Sequence, residues 1–328
     1  DDIFDGSHVI EAKVDELVAG AQAEIDRVQG MGGAVAAVES GYLKQALVAS
    51  HAERRRRIES GEQIVVGVNA FQNTEPSPLT EDLDAAIQTV DPAAESAALA
   101  ALAKWRTERD PEAVDAALNG LREAAKGSDN LMPATLTCVR AGVTTGEWAG
   151  VLREMFGEYR APTGVSGSVG VSGGGEAIAA VRAKVAATSE ELGGRLRFLV
   201  GKPGLDGHSN GAEQVAVRAR DVGFEVVYQG IRLTPDQIVS AAVAEDVHCV
   251  GISILSGSHM ELVPDVLDGL REAGLEDVPV IVGGIIPDSD GRKLIEQGVA
   301  AVYTPKDFGL TEIMGGIVDV IRRANRLD

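Results

Sequence analysis

An α/β protein in two parts is what this sequence predicts: a mostly helical first half, then a five-stranded parallel sheet covered by helices. Two observations carry the prediction. From about residue 195 onward, short apolar runs alternate with amphipathic stretches, a pattern that demands a parallel sheet buried on both faces. Just before that point, residues 163–175 are rich in Gly, Ser and Val and carry no charge, the composition of a flexible linker.

In the first half, Asp91-Pro92 and Asp110-Pro111 mark helix starts. The aspartate caps free amides, and the proline takes a position that needs no N–H donor. Gly127 and Gly157 are the matching stops. The apolar run 63–69 predicts one strand among the helices. The block Arg54-Arg55-Arg56-Arg57 reads either as a solvated helix face or as a phosphate or CoA contact.

After the linker, 176–192 predicts a helix leading into the sheet. Strands are expected at 195–200, 224–229, 247–255, 278–283 and 300–304, with helices beginning near Gly211, Thr234, His259, Asp288 and Leu310. Five such units in a row predict a flavodoxin-like sheet of order 2-1-3-4-5. The expected division is therefore 1–160, a linker over 161–175, and 176–328.

Composition excludes several classes of partner. The chain has 328 residues, 50 acidic against 30 basic, and a net charge of −20, which repels nucleic acid and anionic membranes. No apolar run approaches the roughly 18 residues of a membrane helix. The start, Asp1-Asp2-Ile3-Phe4-Asp5, is too acidic for a signal peptide and reads as part of a longer polypeptide. Cys138 and Cys249 form neither a disulfide framework nor a zinc pattern, so a reducing cytoplasm is expected.

The chemistry concentrates in the loop after the first strand, residues 201–211, where Lys202, Asp206 and His208 stand at spacings of four and two. In a 2-1-3-4-5 sheet the chain leaves strands 1 and 3 in opposite directions, opening a crevice at their carboxyl ends. This loop, Ser253 with Leu255, and Gly283-Gly284 all rim that crevice. Gly251, Ser253, Gly283 and Gly284 are small and leave a slot that suits a long inserted tail, with the Ser253 hydroxyl placed to bond a ring nitrogen. His208 can present one imidazole nitrogen to a metal while Asp206 accepts the N–H of the other and Lys202 holds the carboxylate. Asp206 and His208 as a general-base pair is the rival, but no serine or cysteine stands at a nucleophile elbow nearby. Neither G-x-G-x-x-G nor G-x-x-x-x-G-K-[ST] is present. His8, His51, His248 and His259 have no comparable context and read as surface or core residues.

Asp206-x-His208-x-x-Gly211, Ser253-x-Leu255 and Gly283-Gly284, in this order on the expected strand ends, resemble the cobalamin domain of the B12-dependent acyl-CoA mutases. Lys202 sits where that family has a lysine against the motif aspartate. Asp5-Gly6-Ser7, Met31-Gly32-Gly33, 65–69 and Ser128-Asp129-Asn130-Leu131 resemble the end of the family's catalytic (β/α)8 barrel and its linker region, so the likeness covers the whole chain. The resemblance implies adenosylcobalamin as cofactor, His208 as lower axial ligand of cobalt, and a binding set of Lys202, Asp206, Gly207, His208, Gly211, Gly251, Ser253, Leu255, Gly283, Gly284, Tyr303 and Thr304.

Within the family, 69–71, 74–78, 253–259 and 303–309 look more like members that convert ethylmalonyl-CoA to methylsuccinyl-CoA than like those acting on methylmalonyl-CoA. In this family cobalt–carbon homolysis gives an adenosyl radical that removes a substrate hydrogen before the thioester carbonyl migrates. The implied partners are the acyl-CoA substrate, an amino-terminal barrel portion as a separate or cleaved chain, and a second subunit in a dimer. Catalytic residues are expected in that barrel and none here, so the chain alone is expected to bind cobalamin without turnover. Two other readings remain, a non-catalytic corrinoid-binding or sensing module and a receiver-type signalling domain. The receiver reading fits Lys306 but needs an aspartate where the chain has Ser253.

Overall fold

The computed structural model describes residues 4–72, 91–160, 162–163, 175–307 and 309–327. The likeness at 74–78, nearly all of the expected linker, and Phe308 lie outside the described residues. Two compact units form, one from Asp1–Glu75 with Ala161–Asp328, the other from Pro76–Arg160.

The smaller unit is helical. Helices α4 (Pro92–Glu108) and α5 (Pro111–Ala125) begin at the two aspartate–proline pairs. Asp91 accepts from the Ala93 amide at 2.9 Å, and Asp110 accepts from Glu112 and Ala113 at 3.0 and 3.3 Å. Helix α6 (Leu131–Ala141) follows, and α7 (Thr145–Phe156) starts on a reciprocal capping box between Thr144 and Glu147. Ala117, Leu121, Cys138 and Val151 make the small core, which explains the first cysteine as a buried apolar residue. Arg109 bridges two helix ends by donating to the Gly142 carbonyl at 2.9 Å and to Glu147 at 2.6 Å.

The larger unit opens with α1 (His8–Gly30), α2 (Ala34–Glu39) and α3 (Tyr42–Glu59). The strand expected at 63–69 does not form. Val66 and Ala70 make only an isolated bridge, because the Asn69 side chain accepts from the Val65 amide at 2.7 Å and donates to the Ile58 and Gln63 carbonyls at 2.7 and 2.8 Å. One side chain thus supplies the partners a neighbouring strand would have offered, and the chain turns.

Helix α8 (Glu176–Glu191) leads into β1 (Arg197–Gly201), and the alternation continues as expected: α9 (Asn210–Asp221), β2 (Glu225–Tyr228), α10 (Pro235–Glu245), β3 (Cys249–Ile254), α11 (His259–Glu272), β4 (Val280–Gly284), α12 (Asp288–Glu296), β5 (Ala301–Tyr303) and α13 (Leu310–Ala324). All strands are parallel, in the order β2-β1-β3-β4-β5. Because side chains alternate across a strand, each residue commits to one face. Leu196, Phe198, Val200, Cys249 and Ile281 pack under α8, α9 and α13, while Leu199, Val250, Ile252, Ile254 and Val282 pack under α10, α11 and α12. Val48 of α3 joins the first of these cores, so the helical segment is built into the sheet unit.

Candidate functional site

The loop after β1 is organised by charge. Lys202, the residue following the strand, is fully buried, an arrangement that is stable only with a bonded counter-charge. Its Nζ donates to Asp206 Oδ2 at 2.6 Å. The other oxygen, Oδ1, accepts from the His208 backbone amide at 3.0 Å and faces His208 Nδ1 at 2.6 Å. Burial raises the Asp206 carboxyl, but the bonds from Lys202 and from His208's amide and ring outweigh it and hold the group well below the usual carboxylate range. An ionised Asp206 can only accept, so Nδ1 carries a proton, and in the neutral imidazole that tautomer leaves the lone pair on Nε2. That nitrogen belongs to a side chain that is 81% exposed. The loop is therefore a relay of buried cation, anion and oriented imidazole, with the imidazole as its exposed end.

Helix α3 holds the loop from the other side. Lys44 Nζ reaches Glu213 Oε1 at 2.6 Å and Ser209 Oγ at 2.7 Å, pinning the residue after His208 to a carboxylate that is only 2% exposed. Sequence reasoning missed Lys44. The signal was there in its spacing, since it lies four residues before the buried Val48 on the same face of α3.

Beside this loop a cavity of about 390 Å³ runs between the carboxyl ends of the strands and helices α9 and α13. Of the residues expected at the site, Gly211, Gly251, Ser253, Leu255, Gly283, Gly284, Tyr303 and Thr304 line it. Lys202, Asp206, Gly207 and His208 are not in its walls and belong to the adjoining loop.

The glycines do different work. A Cβ on Gly251 would lie 2.6 Å from the Phe198 ring, and one on Gly284 would lie 1.7 Å from the Ile254 carbonyl oxygen, so both are required by packing. At Gly283 the nearest atom to such a Cβ is 3.9 Å away, and its missing side chain leaves open volume. Thr304 spends its hydroxyl locally, accepting from the Lys306 amide at 3.4 Å. A wider depression of about 630 Å³ around α12 shares only Thr304 and Asp307 with this slot and holds no other expected residue. Among the described residues no cluster of three or more His, Cys, Asp or Glu is placed to hold a bare metal ion.

Residues 2–158 match the family model for methylmalonyl-CoA mutase, and residues 196–309 match that of the B12 binding domain. The chain is 55% identical to the ethylmalonyl-CoA mutase of Methylorubrum extorquens over 99% of its own length and 46% of that protein. Between them the two family models take in most of the chain, the mutase model its helical part and the B12-binding model its sheet. The chain is also 53% identical to the ethylmalonyl-CoA mutase of Cereibacter sphaeroides, covering 98% of this chain and 49% of the relative. To the methylmalonyl-CoA mutase of the same organism it is 36% identical, over 97% of this chain and 44% of the relative. The chain spans about half the length of the curated relatives it matches. The B12-binding match runs from just before β1 to the start of α13 and so spans all five strands, the loop and most of the slot.

Proposed function

We propose that this chain is the cobalamin-binding portion of an adenosylcobalamin-dependent mutase that rearranges ethylmalonyl-CoA to methylsuccinyl-CoA. The observation that carries the reading is the pairing of an exposed, tautomer-fixed imidazole with an adjacent glycine-walled slot. His208 Nε2 would hold the cobalt, oriented by Asp206 and, through it, by Lys202. The slot takes the cofactor's nucleotide tail, with Ser253 bonding the base and Gly283 and Gly284 allowing backbone approach. Tyr303 and Leu255 close the sides, and the exposed Gly207 and Gly211 would leave the loop without side chains where the cofactor is held. The bound cofactor supplies a radical that removes a substrate hydrogen, while this chain's residues bind, orient and shield.

The choice of ethylmalonyl-CoA over methylmalonyl-CoA rests on identities of 55% and 53% against 36%. The division into 1–160 as end of barrel and linker region, 161–175 as linker and 176–328 as cobalamin domain is part of the proposal, as are the barrel portion, a dimer and a cytoplasmic setting. A partner for the first helix is supported by α1 itself, which buries no residue and leaves Val14, Leu17, Val18 and Ile25 exposed along one side. Among the described residues no helix is long and apolar enough to cross a membrane.

Electron paramagnetic resonance of cob(II)alamin on the chain, with ordinary and with nitrogen-15 histidine, tests the ligand. A change of nitrogen splitting from triplet to doublet, lost in His208→Ala, is the expected result; binding with no isotope effect removes His208 from cobalt. Turnover of the two acyl-CoA esters by the complete enzyme tests the substrate, and a preference for methylmalonyl-CoA overturns that part.

A further inference from the structure

The turn after β2 departs from ordinary backbone at a residue that neither the loop relay nor the slot uses. Arg232 has φ 61°, the left-handed region that a residue with a side chain seldom adopts. Asp246 and Arg326 share that geometry, but Asp246 caps α10 and Arg326 follows the end of α13, where left-handed residues commonly stop a helix. Arg232 ends no helix.

Its neighbours fix the turn. The Leu233 amide donates to the Lys202 carbonyl at 3.1 Å, the Gly204 amide donates to the Leu233 carbonyl at 3.0 Å, and the Leu233 side chain is buried. The strained turn is thus stitched to the first residues of the loop that presents His208, and strain of this kind persists only where the surroundings hold it. The stitching also aims the side chain. Arg232 Nη2 lies beside Gly207, the residue between Asp206 and His208, 3.6 Å from where a Cβ on that glycine would stand. The guanidinium is exposed there, and among the described residues it makes no hydrogen bond or ion pair.

What Arg232 flanks is an apolar rim. Leu205 after β1 is 90% exposed, and Leu255 after β3 and Ile285 after β4 are exposed as well, at the carboxyl ends of three neighbouring strands. Because β2 lies on the outer side of β1, Arg232 stands at one end of this row. Such a face fits a broad body that is apolar across its middle and carries hydrogen-bond acceptors at its border. A corrin ring edged by acetamide and propionamide groups has that form.

We propose that Arg232 recognises the corrin's edge by donating to the carbonyl oxygen of a peripheral amide, an inference that rests on cobalamin being held at His208 and the slot. A charged donor makes a stronger bond to a carbonyl than a neutral one. The left-handed turn keeps the guanidinium beside the loop before the cofactor arrives, so less side-chain freedom is lost on binding.

The test titrates the 328-residue chain, Arg232→Asn, Arg232→Lys and Arg232→Gly with cobalamin and with cobinamide, which keeps the corrin amides and lacks phosphate and base. Arg232→Asn and Arg232→Gly are expected to weaken both probes alike by about tenfold, the worth of a hydrogen bond from a charged group, and Arg232→Lys by less. Arg232→Gly at the same time keeps or raises the melting temperature, because glycine adopts the turn without strain. The histidine nitrogen splitting of bound cob(II)alamin persists in all three variants. Unchanged affinity for both probes overturns the proposal, and so does weakening of cobalamin alone, which would put Arg232 on the nucleotide tail. A melting temperature that falls with the affinity in Arg232→Gly, or loss of the histidine splitting, overturns it too, since either makes Arg232 a prop for the loop. If the unmodified chain binds neither probe, the cofactor reading itself falls.

Discussion

The two faces of the sheet share five strands and one register, yet the slot opens on the face under α9 and α13. On the face under α10 to α12, β3 presents Val250, Ile252 and Ile254, bulky to the end, and β4 presents Val280 and Val282 before its last residue, Gly284. On the face under α9 and α13 the same strands present Cys249, Gly251 and Ser253, then Ile281 and Gly283, shrinking toward the carboxyl ends. The contrast teaches that the slot comes from the taper of one alternating set of side chains. Strand order opens the crevice, and side-chain size decides which face stays open.

Filling the taper should break the contrast most completely. Gly283→Phe puts a ring into the slot from a position with no close neighbour, and it is expected to abolish cobalamin binding in a spectral titration while keeping the melting temperature. Cobalamin affinity within tenfold of the unmodified chain would separate the cavity from the cofactor. Next is Gly284→Ala, whose Cβ collides with the Ile254 carbonyl and forces β3 and β4 apart. A loss of about 4 kcal/mol in urea unfolding is expected, and a loss under about 1 kcal/mol would show that the strand ends relax freely.

A paired truncation sharpens the comparison. Ile254→Ala on the closed face should cost about 4 kcal/mol and Ile281→Ala beside the slot about 2, because the second side chain has fewer packing atoms to lose. Equal costs would mean that the slot face is packed as densely as its opposite.

The smallest effect lies in the helical unit, far from this contrast in kind. Glu147, bonded by Arg109, is held down to about 2 although burial opposes the shift. A lowered carboxyl stabilises the fold above the unfolded value of about 4.3 and loses that contribution as pH falls toward 2. Glu147→Gln should therefore remove about 1 kcal/mol at neutral pH and flatten the acid side of the stability curve. Parallel curves for the two proteins would take Glu147 out of the acid response.

The strand ends, the five sheet helices and the lysine–aspartate–histidine loop were legible because each rests on local pattern: alternation, capping residues, and a short spacing on one loop. What stayed hidden depends on a partner distant in sequence. The run 63–69 has a strand's apolar content, and only Asn69 reaching back to Ile58 shows that it turns. Arg55 lines the slot, yet it read as part of a charged patch because charge was weighed before helical phase. Lys44 has no local motif at all; its partner Glu213 lies in another half of the chain. The size of the slot was foreseeable from its glycines, but which of them leaves space was not. Gly251 and Gly283 look alike in the sequence and differ only in whether an aromatic ring from β1 stands opposite.

The grip of α3 on α9 has a bearing on modularity. Glu213 and Arg218, both largely buried, take their counter-charges from Lys44 and Glu59, more than a hundred residues upstream. A graft of the sheet and its loop onto another scaffold would strand both charges, at a cost of about 3–5 kcal/mol each. The smallest transplantable unit is thus discontinuous in the chain, and any rearrangement that kept the sheet as a working receptor had to carry α3 along with it.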